Sequence, residues 1–134
     1  MKRLHKIVGL AVIVVFLLTG QFMDFQKPQV SAMDDGARMM FRSRHIYILL
    51  AGLVNLGIGI YFSYQRERWR KTLQVSGSVL IIIAPFLLLA AFFYEPWLAG
   101  LQRTFTLPAI LALLTGALFH LFGSVRQGTD STTN

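Results

Sequence analysis

Four apolar stretches, residues 7–25, 46–64, 75–94 and 105–122, alternate along the chain with short polar connections. A helix rises about 1.5 Å per residue, so about 20 apolar residues are needed to cross a hydrocarbon layer about 30 Å thick. Each stretch is therefore read as a transmembrane helix. Short connections place successive helices antiparallel, which predicts an up-and-down four-helix membrane bundle. Pro28 interrupts the pattern after the first stretch, because the residue before a proline is pushed out of the helical region. Beyond it, over 29–41, Val30, Met33, Ala37, Met40 and Phe41 recur at helical spacing, and Asp34, Asp35 and Arg38 fall on the other side. Asp34 and Arg38 stand four apart, the spacing of a helical ion pair. This pattern predicts a short amphipathic helix on the outer membrane surface, leading into the second span. Pro85 predicts a kink inside the third span. The small, polar residues of 123–134 read as a disordered cytoplasmic tail, leaving 1–122 as a single membrane domain.

The first stretch carries an ambiguity of its own. A positive leader, with Lys2, Arg3 and Lys6, precedes an aliphatic run, and Val30-Ser31-Ala32 has the small-residue look of a signal-peptide cleavage site. The spacer between run and tripeptide is long and holds Asp24, Lys27 and Pro28. The expectation is an uncleaved first helix, with removal of residues 1–32 as the alternative.

Composition agrees with the membrane reading. The chain of 134 residues is 54% hydrophobic and only 14% charged, too apolar for an ordinary soluble domain. Its 13 Lys and Arg residues against 6 acids lack the spaced aromatic pattern of a nucleic-acid surface, and fit basic loops facing anionic lipid. If the N-terminus is inside, Lys2, Arg3, Lys6, Arg66, Arg68, Arg70, Lys71 and Arg126 are cytoplasmic, eight of the 13. Lys27, Arg38, Arg42, Arg44 and Arg103 are outside. The bias predicts an inner-membrane protein with both termini in the cytoplasm. The absence of Cys excludes disulfides, thiolate metal sites and thiol catalysis.

Against this apolar background a few polar residues stand out. Arg42, Arg44 and His45 form a basic collar where the second helix enters lipid, on the side that the charge bias makes outer. Such charges need partners, and Asp24 and Glu95 reach the same rim, so Asp24, Arg42, Arg44, His45 and Glu95 form an expected outer-rim charge cluster. The cluster is read as clamping the bundle, with recognition of an anion, a lipid headgroup or an acidic loop as its functional alternative. Deeper, Ala51, Asn55 and Gly59 recur at spacing four on the second span, as do Ala112, Gly116 and His120 on the fourth. Small residues let helices approach, so Asn55 and His120 are expected to hydrogen-bond across helix contacts.

Chemistry beyond packing finds little support. His45 and His120 lie near opposite ends of their spans and cannot share one haem iron, although two copies of His45 can meet across a dimer axis. Met23, Met33, Met39 and Met40 all fall in the outward segment but lack tight Cu(I)-type spacing, and packing is their expected use. Phosphate loops, nucleophile elbows, metalloprotease motifs and paired carboxylates are absent from the sequence. No cofactor is expected. The reading is a non-enzymatic accessory or scaffold protein, with the lipid bilayer, other membrane proteins or itself as partners. A small carrier binding a quinone, haem or metal near Asn55, His45 or His120 is the alternative.

Overall fold

The computed structural model describes residues 1–61, 67–98 and 102–124, and within them the chain is all helical. Four long helices follow in order, α1 (Lys2–Phe25), α2 (Asp35–Tyr61), α3 (Arg68–Tyr94) and α4 (Thr106–Ser124). Two single 3-10 turns, Val30–Ala32 and Glu95–Trp97, precede α2 and follow α3. All four long helices are sufficiently long and apolar to cross a membrane, as expected for a multi-pass membrane protein. The last residues of the expected second span, 62–64, and the expected tail beyond Ser124 lie outside the described residues. Gly123 and Ser124, placed in that tail by the sequence pattern, instead complete the last turn of α4.

The expected surface helix over 29–41 does not form as a separate element. Residues 30–32 make one 3-10 turn, and α2 then runs unbroken from Asp35 into the apolar stretch. Asp34 starts it: its carboxylate accepts the Ala37 N–H at 3.1 Å, the hydrogen bond of a helix N-cap. Arg38 consequently pairs with Asp35, not with Asp34. The apolar pattern of 40–41 is one end of a longer stripe, in which Met40, Phe41, Arg44, Ile48, Ala51, Gly52, Asn55 and Gly59 are all buried. Their three- and four-residue steps make a single helix face. Packing against protein, rather than against a membrane surface, accounts for the amphipathic signal.

Close backbone approach builds two antiparallel hairpins. A Cβ on Gly9 of α1 would stand 2.7 Å from the Leu56 nitrogen of α2, and one on Gly59 would stand 2.8 Å from the Lys6 nitrogen. In the second hairpin, a Cβ on Gly77 or on Gly116 would come within 2.7 Å of the other's carbonyl oxygen. Only hydrogen fits at those positions, and residues this small let apolar helices bring their backbones into close packing. The hairpins join along α2 and α3, where Ile48, Ile81, Ala84, Leu88 and Phe92 form the core. Phe41 and Phe92 meet edge to face at 5.3 Å, with Trp97 beyond Phe41 at 5.8 Å. Large apolar side chains cover the outside, including Ile7, Leu18, Phe86 and Leu121, each more than half exposed.

Candidate functional site: two buried polar centres

One centre forms where α2 meets the turn after α3. Arg44 and Glu95 are both buried, with side-chain exposures of 3% and 0%, and their groups approach to 2.6 Å. Glu95 Oε2 accepts from Arg44 Nε at 2.6 Å and from the Thr106 hydroxyl at 2.5 Å. Its Oε1 accepts the backbone N–H groups of Phe105 at 2.6 Å and Thr106 at 2.8 Å. Those two N–H groups open α4 and have no partner within their own helix, so the carboxylate serves as both counter-ion and helix cap. Glu95 itself opens the 3-10 turn Glu95–Trp97, with Pro96 as the second residue. Arg44 completes its own set on the carbonyls of Met40 at 3.1 Å and Gln102 at 3.4 Å. The added hydrogen bonds to Glu95 and Arg44 offset the desolvation that opposes burying the pair.

The second centre draws one side chain from each helix. Asn55 Nδ2 donates to the carbonyls of Ala51 at 2.9 Å and Ile81 at 3.0 Å, and Oδ1 meets His5 Nδ1 at 2.9 Å. Because the amide nitrogen is committed to carbonyls, its oxygen is the acceptor and His5 Nδ1 carries the proton. The Ile81 carbonyl has a particular need for this donor. It would ordinarily accept the N–H of the residue four further on, and that residue is Pro85. Asn55 supplies from a neighbouring helix what proline removes, and α3 continues through Pro85 without a break. On the other side of the centre Ser78 Oγ and His120 Nε2 are 3.0 Å apart, and the rings of His5 and His120 stand edge to face at 6.1 Å.

The expected rim cluster therefore divides. Arg44 and Glu95 come together. His45 turns instead toward α1, stacked on Phe16 at 4.1 Å with Nδ1 3.0 Å from the Thr19 hydroxyl. That hydroxyl donates to the Phe16 carbonyl at 2.9 Å, so His45 donates to it. The ring thus belongs to the α1–α2 seam within one copy of the chain. Asp24 and Arg42 are exposed, and neither side chain has an ion pair or hydrogen bond among the described residues. Of the expected helix-contact pair, Asn55 bonds to His5 and His120 to Ser78 within the second centre.

Sequence reasoning passed over His5, Ser78, Thr19 and Thr106. His5 had a signal: with Gly9, Val12, Phe16 and Thr19 it continues one helical face, and the residues of the positive leader form the first turn of α1. Thr106 had none, since its role depends on the path of the chain back toward Glu95. Among the described residues no group of three or more His, Asp or Glu is placed to hold a metal ion. No protein-family model, curated protein or solved structure matches this chain.

Proposed function

We propose that the chain is a multi-pass protein of the bacterial inner membrane, with both termini cytoplasmic, that acts as a non-enzymatic accessory or scaffold component of a membrane assembly. The observation that carries this reading is the use of the buried polar groups. Arg44, Glu95, Asn55 and Thr106 direct their hydrogen bonds to one another, to His5 and to backbone carbonyls and N–H groups, where they join helices. Recognition is then left to the apolar exterior and to the charged rim, as suits a protein that associates laterally with other membrane proteins or with itself. Orientation is supported by the concentration of Lys and Arg at the end holding both termini and the link between α2 and α3.

A native mass spectrum of the protein, extracted gently from its own membrane without overexpression, tests the assignment. Partner chains or further copies in fixed ratio are the expected result, and a bare monomer would end the scaffold reading. Because the chain has no Cys, single cysteines at positions 2 and 24 report sidedness cleanly; labelling of position 2 from outside would reverse the orientation.

A second reading, a carrier of a small molecule, draws on a different observation. His120, Tyr61 and Ser124 line a groove of about 380 Å³ between the ends of α2 and α4, beside the His5 and His120 rings. A visible absorption band or a stoichiometric added mass in the purified protein would favour it.

A further inference from the structure

We propose that the outer end of the seam between α2 and α4 is a binding site for one phospholipid, which docks its phosphodiester through Arg103 and Tyr47. The proposal rests on the reading of the four helices as membrane spans. A partly enclosed cavity of about 180 Å³ opens there, lined by Met39, Ser43, Arg44, Tyr47, Arg103 and Thr106. It has room for several waters or for one phosphate group.

The charges in its wall are not equivalent. Arg44 is neutralised by Glu95 and fully engaged, and Thr106 is held by the same carboxylate. Ser43 donates to the Met40 carbonyl at 3.2 Å. Arg103 is exposed, and among the described residues neither its guanidinium nor the half-buried Tyr47 hydroxyl has a hydrogen bond or ion pair. The cavity therefore presents one uncompensated positive charge and one phenol above a neutral base. A guanidinium with several fixed donors and an aromatic hydroxyl at the membrane interface suit a phosphodiester. Arg42, on the adjoining face of α2, adds a second exposed positive charge near the mouth.

What lies below the cavity selects a lipid over a soluble phosphate. Stepping by three and four from Tyr47, the same face of α2 carries Leu50, Val54 and Ile58, and from Thr106 the facing side of α4 carries Ile110, Leu114 and Ala117. Leu50 and Leu114 are each about half exposed. The seam opens again where Ile58 and Ala117 line the second groove. From Tyr47 to Ile58 a helix rises about 16 Å, close to the roughly 15 Å depth of one leaflet. An acyl chain hanging from a headgroup at Arg103 would run along an apolar track of matching length.

The test titrates delipidated protein with phosphatidylglycerol, followed by native mass spectrometry, with diacylglycerol of the same chains and glycerol phosphate as parallel probes. We expect one phosphatidylglycerol per chain, with retention weaker by about ten-fold in Arg103→Gln and by less in Arg103→Lys and Tyr47→Phe, as for loss of a hydrogen bond to a charged group. Arg103 is exposed and uses only its backbone internally, through the Leu107 N–H, so these variants keep the fold. Equal retention by Arg103→Gln, equal binding of diacylglycerol, equal binding of glycerol phosphate, or an acidic protein segment occupying the seam would each overturn the proposal. Release of the protein from membranes by alkaline carbonate would instead sink the reading of the helices as spans.

Discussion

The two polar centres solve one problem by opposite means. The Arg44 and Glu95 centre uses full charges and joins α2, the turn after α3 and the first residues of α4. The Asn55 centre uses neutral groups and ties α1, α2 and α3, with the Ser78 and His120 pair binding α3 to α4 alongside. Position accounts for the difference. The ion pair sits where α3 has ended and polar backbone at the start of α4 needs an acceptor, so a carboxylate answers two demands at once. Asn55 lies well inside the apolar run of α2 that begins at Ile46, where an ionised group would face a larger desolvation penalty in lipid, and an amide with both ends satisfied binds helices without it.

Substitutions that break each centre should differ in size. The largest effect is expected from Glu95→Ala, about 3–5 kcal/mol, because it leaves a buried guanidinium and two helix-end N–H groups without their acceptor. Arg44→Ala should destabilise less, since Glu95 keeps Phe105 and Thr106. Unfolding in mixed lipid and detergent measures both, and equal losses would remove helix capping from the account of Glu95.

Next comes the packing beside the neutral centre. Gly116→Ala puts a methyl 2.6 Å from Ile81 and 2.7 Å from the Gly77 carbonyl, and is expected to cost about 1–3 kcal/mol. Gly57→Ala, with nothing within 4 Å of the new Cβ, should be neutral or stabilising by up to about 1 kcal/mol. The same unfolding assay ranks the pair; comparable losses would mean that the two hairpins are not held by close backbone approach.

A smaller loss, about 1–2 kcal/mol, is expected for Asn55→Leu. Pro85→Ala in that background should restore part of it, because the new Ala N–H can reach the Ile81 carbonyl. A double-mutant cycle without coupling would separate Asn55 from the proline. Arg42→Ala and Asp24→Asn should change stability by less than about 0.5 kcal/mol, which contrasts them with their expected rim partners.

The four helices were legible because apolar runs of this length have few other uses, and Arg44, Glu95, Asn55 and His120 were conspicuous as polar groups in apolar company. Their pairings were not. Whether Glu95 reaches Arg44 or Arg42 depends on helix rotation and on where the chain re-enters at Thr106, which periodicity along one helix does not encode. The stripe from Val30 to Phe41 was misread for a related reason: an apolar face looks the same whether lipid or Phe92 covers it. His5 escaped notice because its charged neighbours Lys2, Arg3 and Lys6 drew attention to a positive leader and away from the helical face that His5 shares with Gly9 and Val12.

The exchange between Pro85 and Asn55 gives the fold a direction of change. With Asn55 in place, replacing the proline adds a second donor to a carbonyl that has two lone pairs, and little is lost. Removing Asn55 first strands that carbonyl inside the protein. Of the two orders in which the pair can be exchanged for ordinary apolar helix, one gives up only the His5 hydrogen bond, at its last step, and the other first crosses a deeper valley. Descendants of this sequence should therefore part with the proline before they part with the asparagine.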